Sequence, residues 1–132
     1  MIWAFVILIV LIAGWYAFEG SWDRSLFNDA CHNLSAKEAR DWLREHPETQ
    51  VLDVRSKREF DRGALPRAVN VSIGDTEFEG KVSILDLGKP VLVYCAGGYR
   101  SRKAVERLKK LGFRNIQHLH RGYLSWKPDT RS

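Results

Sequence analysis

Hydrophobic and polar positions are distributed very unevenly along this chain. Ile2 to Phe18 reads IWAFVILIVLIAGWYAF, an uninterrupted apolar run without charge or proline. Beyond it the apolar residues come in short groups, each with its own period. Ser35-Ala36-Lys37-Glu38 has the form of a capping box, with Ser35 as N-cap and Glu38 three residues on. Ala39, Trp42 and Leu43 then share one helical face, and Pro47 ends the helix. Val51–Val54 reads as a short buried strand, Lys57–Arg62 as a short helix ending near Gly63, and Ala68–Val71 as another strand. Val82–Leu87 fits a helix or a loop. Pro90–Tyr94 is the clearest strand, a continuous apolar run of the kind buried on both faces. Ser101–Leu111 places Ala104, Val105, Leu108 and Leu111 on one helical face, with Gly112 where a helix-ending glycine belongs. Asn115–Leu119 is a last strand and Gly122–Trp126 a last helical turn. Strands alternating with helices predict an α/β domain: a small parallel β-sheet flanked by helices on both faces.

The apolar run predicts one transmembrane helix. Its seventeen residues reach the short end of what crosses a hydrocarbon core of about 30 Å. Trp3 stands at one end and Trp15, Tyr16 and Trp22 at the other, where amphipathic rings favour the two interfaces. A cleaved signal fits less well. No Lys or Arg precedes Trp3, and Gly14–Phe18 is too bulky for a small-x-small cleavage site. The expected organisation is an anchor over residues 1–20, a linker over 21–33 and a catalytic domain over 34–132. The chain is thus expected to be a single-pass membrane protein that meets the bilayer through residues 2–18. Arg24 and Lys37 follow the run, which places the domain on the cytoplasmic side.

The chain has 132 residues and a net charge of +5. Its basic residues form no long block and no stacking motif is interleaved with them, so nucleic acid is not expected as a partner. The two cysteines, Cys31 and Cys95, make neither a disulfide framework nor a zinc site. A single Cys31–Cys95 bridge stays open at this level.

Cys95-Ala96-Gly97-Gly98-Tyr99-Arg100-Ser101 lies between the strongest strand and the best helix. In open α/β sheets ligands bind at such strand ends. Gly97 and Gly98 are expected to let the backbone curl with positive φ, aiming several amides at one point. The positive end of the following helix and the cation of Arg100 add to that field. A thiol there ionises readily, and the thiolate is the nucleophile. Cys31 lacks such surroundings and reads as a structural residue.

This segment resembles the active-site loop of the rhodanese family: a cysteine, a short glycine-containing loop, then Arg-Ser opening a helix. Leu52-Asp53-Val54-Arg55, Glu59-Phe60, Gly63, Pro66, Ala68 and Asn70 resemble the segment around the family's first strand. Leu119, Gly122 and Trp126 resemble its closing segment. Three positions depart from the pattern. Ala64 stands where histidine is common, Arg67 where glycine often follows the proline, and Arg121-Gly122 where paired glycines are usual. The resemblance implies a sulfurtransferase. Cys95 would take the outer sulfur of a small anionic donor such as thiosulfate, become a persulfide and pass that sulfur to a thiol, cyanide or protein acceptor. The backbone of Ala96, Gly97, Gly98, Tyr99, Arg100 and Ser101 would bind the substrate. Arg100, with Arg102 or Lys103 beside it, would draw in the anion. Asp53 and Arg55 would hold the fold around the loop. No metal or organic cofactor is implied. Two other functions compete. One is a membrane-tethered persulfide carrier. The other is a cysteine phosphatase of the related dual-specificity type, whose loop has one residue more than the four between Cys95 and Arg100.

Overall fold

The structure, a computed structural model, describes residues 1–126. Eleven elements follow one another: α1 Ile2–Leu26, β1 Cys31–Leu34, α2 Ala36–Glu45, β2 Gln50–Asp53, α3 Lys57–Asp61, β3 Val69–Asn70, α4 Phe78–Val82, β4 Val91–Tyr94, α5 Tyr99–Lys110, β5 Ile116–Leu119 and α6 Gly122–Ser125. The strands form one parallel sheet in the order β1-β5-β4-β2-β3. The strongest apolar run, β4, lies at its centre, and all four of its residues are buried.

Side chains alternate across a strand, so each strand feeds two cores. Leu52, Val54, Val91, Val93, Cys95 and Ile116 face one way and pack with Phe78 and Val82 of α4 and Ala104, Val105 and Leu108 of α5. Val51, Leu92, Tyr94 and Leu119 face the other way and pack with Ala39 of α2 and Leu65, with Tyr123 and Trp126 at the edge. The expected two-faced α/β layering is what forms.

Local rules explain the helix starts. Ser35 Oγ accepts from the Glu38 N–H at 3.2 Å and Glu38 Oε1 from the Ser35 N–H at 3.4 Å, the capping box expected from the sequence. A second box, Ser56 with Glu59, opens α3. The helix near Val82 ends there rather than starting there: α4 occupies Phe78–Val82.

The stretch expected as a linker, residues 21–33, is structured, and this expectation is corrected. The apolar helix runs on through Glu19–Leu26 without a break. Residues 1–18 are exposed on every side, but Leu26 is buried and Trp22 and Phe27 pack against the α5-side core. Cys31–Leu34 then pairs in parallel with β5 and forms a sheet edge. The domain therefore begins before residue 34; its expected end at 132 lies outside the described residues. At 25 residues α1 is long and apolar enough to cross a membrane, about 37 Å from end to end.

Arg67 explains one departure from the family pattern. Its φ is +61°, the left-handed region in which a residue without Cβ is comfortable. The chain keeps the conformation although arginine occupies it, and Arg67 Nη1 donates to Pro47 O at 3.0 Å.

Candidate active site

The candidate nucleophile sits just past the end of β4. Cys95 is only 1% exposed, yet its sulfur is not left in an aliphatic setting. The Gly98 N–H donates to Sγ at 3.0 Å, and the Ser101 hydroxyl oxygen lies 3.3 Å from it. Of the loop's amides, Gly98 is the one bonded to the sulfur among the described residues. The curl comes from Gly98 alone: its φ is +100°, whereas Gly97 has no positive φ, which corrects the expectation for Gly97. A Cβ on Gly98 would lie 2.0 Å from His120 O, so neither the conformation nor the space admits another residue. Gly97 is exposed, with nothing within 4 Å of a Cβ built on it.

The floor of the loop is held by the start of α6. The N–H groups of Tyr123 and Leu124 donate to Cys95 O at 2.8 Å and Ala96 O at 3.0 Å. This close approach requires Gly122, at φ +61°, because its Cβ would fall 2.4 Å from Cys95 O. Arg121, at φ −105°, needs no glycine. It is exposed and lines an open groove with Gly97, Leu124 and Ser125.

Arg100 is less free than expected. Its guanidinium donates from Nη1 and Nη2 to the two oxygens of Glu59, at 2.8 and 2.9 Å. Such a two-toothed pair fixes geometry as well as charge. The Arg100 pair, with the Ser56 bonds behind it, pulls the Glu59 carboxyl down to about 2. Glu59 thus caps α3 and ties that helix to the loop. Arg102 is also committed. Nη1 donates to Gly98 O at 2.7 Å and Nε to Asp23 of α1 at 2.8 Å, while Trp22 meets Tyr99 edge-on at 6.3 Å. Glu19, Trp22, Asp23, Tyr99 and Arg102 enclose a small cavity between α1 and the loop. Lys103 lies near the Tyr99 ring, 5.9 Å from its centre, and Tyr99 itself is 55% exposed.

Asp53 and Arg55 hold the neighbouring strand ends, in the role expected of them. Arg55 donates from Nε and Nη2 to Asp53, and from Nη2 to Gly63 O at 2.7 Å. Tyr94 Oη donates to Asp53 at 2.7 Å and accepts from the Leu65 N–H. Burial and the Asp53 charge push the Tyr94 phenol up, keeping it a neutral donor. Asn70 Nδ2 closes the group on the carbonyls of Asp53 and Arg55.

Sequence reasoning passed over three residues on the α5 side of the sheet. His118 Nε2 lies 2.6 Å from Ser101 Oγ, and His118 Nδ1 lies 2.8 Å from Asn33 Oδ1. Asn33 Nδ2 lies 2.8 Å from His120 Nδ1. Burial, aided by the positive charge of Arg102, lowers His118 to about 3, so its ring is neutral at physiological pH. Both cysteines are free, which removes the disulfide alternative. Cys31 is buried in the core and burial raises its thiol to about 12, in keeping with a structural role.

A reduced cysteine at the end of the central parallel strand, with a short curled loop and a helix start around its sulfur, defines a class of protein that other chains share. The Rhodanese-like domain model matches residues 35–129, and this chain belongs to that family. A mitochondrial protein of Schizosaccharomyces pombe, provisionally named a thiosulfate sulfurtransferase, is 31% identical over 120 residues, covering 82% of this chain and 81% of its own length. A tRNA uridine(34) hydroxylase of Pelagibacter ubique is 36% identical over 80 residues, which are 60% of this chain but only 27% of the hydroxylase. Among solved structures, a rhodanese-related protein of Thermoplasma volcanium is 34% identical, with a TM-score of 0.62 over 71% of this chain and 88% of that one.

Proposed function

We propose that this protein is a membrane-anchored sulfurtransferase that carries a sulfane sulfur as a Cys95 persulfide. The observation that carries the reading is the Gly98 N–H aimed at Cys95 Sγ from 3.0 Å, at the positive start of α5. A fixed dipole already pointing at the sulfur stabilises negative charge there without reorganisation. The thiolate attacks the outer sulfur of thiosulfate; the sulfur–sulfur bond of the donor breaks and sulfite leaves. A thiolate or cyanide then takes the outer sulfur and returns the Cys95 thiolate, so the turnover is two-step. The family likeness and the name of the S. pombe relative support this choice of chemistry. The four-residue loop between Cys95 and Arg100 is tighter than that of the phosphatases sharing the fold, and suits a single sulfur atom better than a phosphoryl group.

Because Glu59 occupies Arg100, we assign the approach of an anionic donor to the groove beside Gly97, where Arg121 is exposed. The Arg100–Glu59 pair then fixes the loop. We assign α1 the role of a single-pass anchor, with the domain on the cytoplasmic side. Resistance of the chain to extraction from membranes at high pH, and cleavage of the domain by protease only in inverted vesicles, test that assignment.

The test of the chemistry is mass spectrometry of the full chain after incubation with thiosulfate. One added sulfur atom on the peptide containing Cys95, removable by cyanide and absent from Cys95→Ser, is the expected result. Sulfur transfer to cyanide that persists in Cys95→Ser overturns the reading. Hydrolysis of an aryl phosphate without sulfur transfer, lost in the same variant, replaces it with a phosphatase. A stable adduct with negligible turnover makes the protein a carrier rather than a thiosulfate enzyme.

A further inference from the structure

Cys95, Ser101, His118, Asn33 and His120 form one continuous chain of polar contacts running from the buried sulfur to a half-buried imidazole. Sheet register builds it. Asn33 and His118 are direct partners across β1 and β5, and His118 partners Val93 across β5 and β4. Cys95 lies two residues beyond Val93 and His120 two beyond His118, so all point to the α5 side.

Counting hydrogens constrains this chain strongly. Ser101 has one proton and two partners. A neutral imidazole has one N–H, and the Asn33 carboxamide donates on one side and accepts on the other. Two arrangements satisfy every contact. In the outward one the Cys95 thiol donates to Ser101 Oγ, Ser101 to His118 Nε2, His118 Nδ1–H to Asn33 Oδ1, and Asn33 Nδ2 to His120 Nδ1. In the inward one His120 Nδ1–H donates to Asn33 Oδ1, with the carboxamide turned over. Asn33 Nδ2 then donates to His118 Nδ1, His118 Nε2–H to Ser101 Oγ, and Ser101 to the thiolate.

We propose that these are the two working states of the site, and that reversal of the chain couples ionisation of Cys95 to protonation of His120. The S–H bond breaks with its electron pair left on Sγ, one proton is gained at His120 Nδ1, and the summed charge of the five groups is unchanged. His118, Asn33 and His120 are positioning residues, since none touches the reacting sulfur. The charged neighbours are already committed. Arg100 beside Cys95 is paired with Glu59 of α3, and Arg102 of α5 with Asp23 of α1, leaving Phe27 against the His118 ring at 5.3 Å. The ladder is thus the adjustable part of the site's electrostatics.

This inference rests on Cys95 being the nucleophile, but its test needs no sulfur donor, so a failure of sulfur transfer leaves it readable. The rate of Cys95 alkylation by iodoacetamide is followed against pH in the full chain in detergent micelles, by mass spectrometry of the Cys95 peptide. Asn33→Leu and His120→Gln should each slow alkylation at neutral pH about tenfold, a shift of about one pH unit, because the thiolate loses the inward state. The double variant should be no slower than either single one. Unchanged rates, or effects that simply multiply, overturn the coupling. Nitrogen NMR of the wild-type imidazoles gives a readout independent of any substitution. Because the two states hold the same number of protons, both His118 tautomers, Nδ1–H and Nε2–H, should be present together at one pH, and a single tautomer throughout overturns the proposal.

Discussion

At the scale of single residues, backbone conformation discriminates between neighbours that look alike in sequence. Gly97 and Gly98 are adjacent, but only Gly98 combines a left-handed φ with a carbonyl in the space of a Cβ. Gly98→Ala should therefore displace the one amide bonded to Sγ and lower sulfur transfer at least tenfold, a barrier increase of about 1.4 kcal/mol. Gly97→Ala should stay within about twofold of wild type, because an added methyl meets no contact there. Steady-state transfer from thiosulfate to cyanide compares them; equal losses contradict this account of the loop. Arg67 offers the opposite experiment. A side chain held in the left-handed region costs about 1–2 kcal/mol, and the bond it makes to Pro47 O is exposed. Arg67→Gly should stabilise the chain by about 1 kcal/mol in a denaturant titration, and a loss of stability would refute the strain argument.

At the scale of elements, α1 is the one whose role changes most between sequence and structure. Its residues up to Phe18 are all exposed, while Leu26 is 3% exposed within the α5-side core. Leu26→Ala should cost about 2–4 kcal/mol of domain stability, and Ile9→Ala should leave the unfolding midpoint unmoved. Similar effects of the two would mean that α1 does not form part of the core. Legibility follows the same division. The β4 run, the Ser35 capping box and the Cys95–Ser101 loop were readable because each is set by neighbours in sequence. Residues 21–33 were not. Asp23 finds its partner at Arg102 and Cys31 finds its own at Ile116, contacts that no local period announces. Asn33 and His118 each stand next to another polar residue in a four-residue strand, so no alternation marks them out. Only the pairing of β1 with β5 makes them a unit. The Glu59 capping box was readable in principle; its second task, holding Arg100, depends on the return of the chain 41 residues later.

For the whole molecule, a buried imidazole and a half-buried carboxylate make stability depend on pH in one direction. His118 titrates near 3 in the folded chain against an ordinary 6.5, so between those values the unfolded chain binds more protons. Stability is complete above about 6.5 and falls as the pH drops toward 3. Glu59, held at about 2 against an ordinary 4.5, adds to the fall below 4.5. The thermal midpoint should decline steadily from pH 7 to pH 4, and a flat midpoint over that range would contradict the buried neutral imidazole. The net charge of +5 is spread over a surface whose best-placed cations near the loop, Arg100 and Arg102, are already paired. On the proposed function, the anionic donor is then drawn in by peripheral residues such as Arg121.

The unbroken axis of α1 has a mechanical consequence. The Trp22–Tyr99 and Asp23–Arg102 contacts come only four and five residues after Phe18, about 6–8 Å along a rigid rod. No swivel separates the greasy stem from the reactive bowl. Any lean of the stem is passed to the bowl as a change of aim; on the proposed anchoring and chemistry, the sulfur works at one fixed height with a short reach.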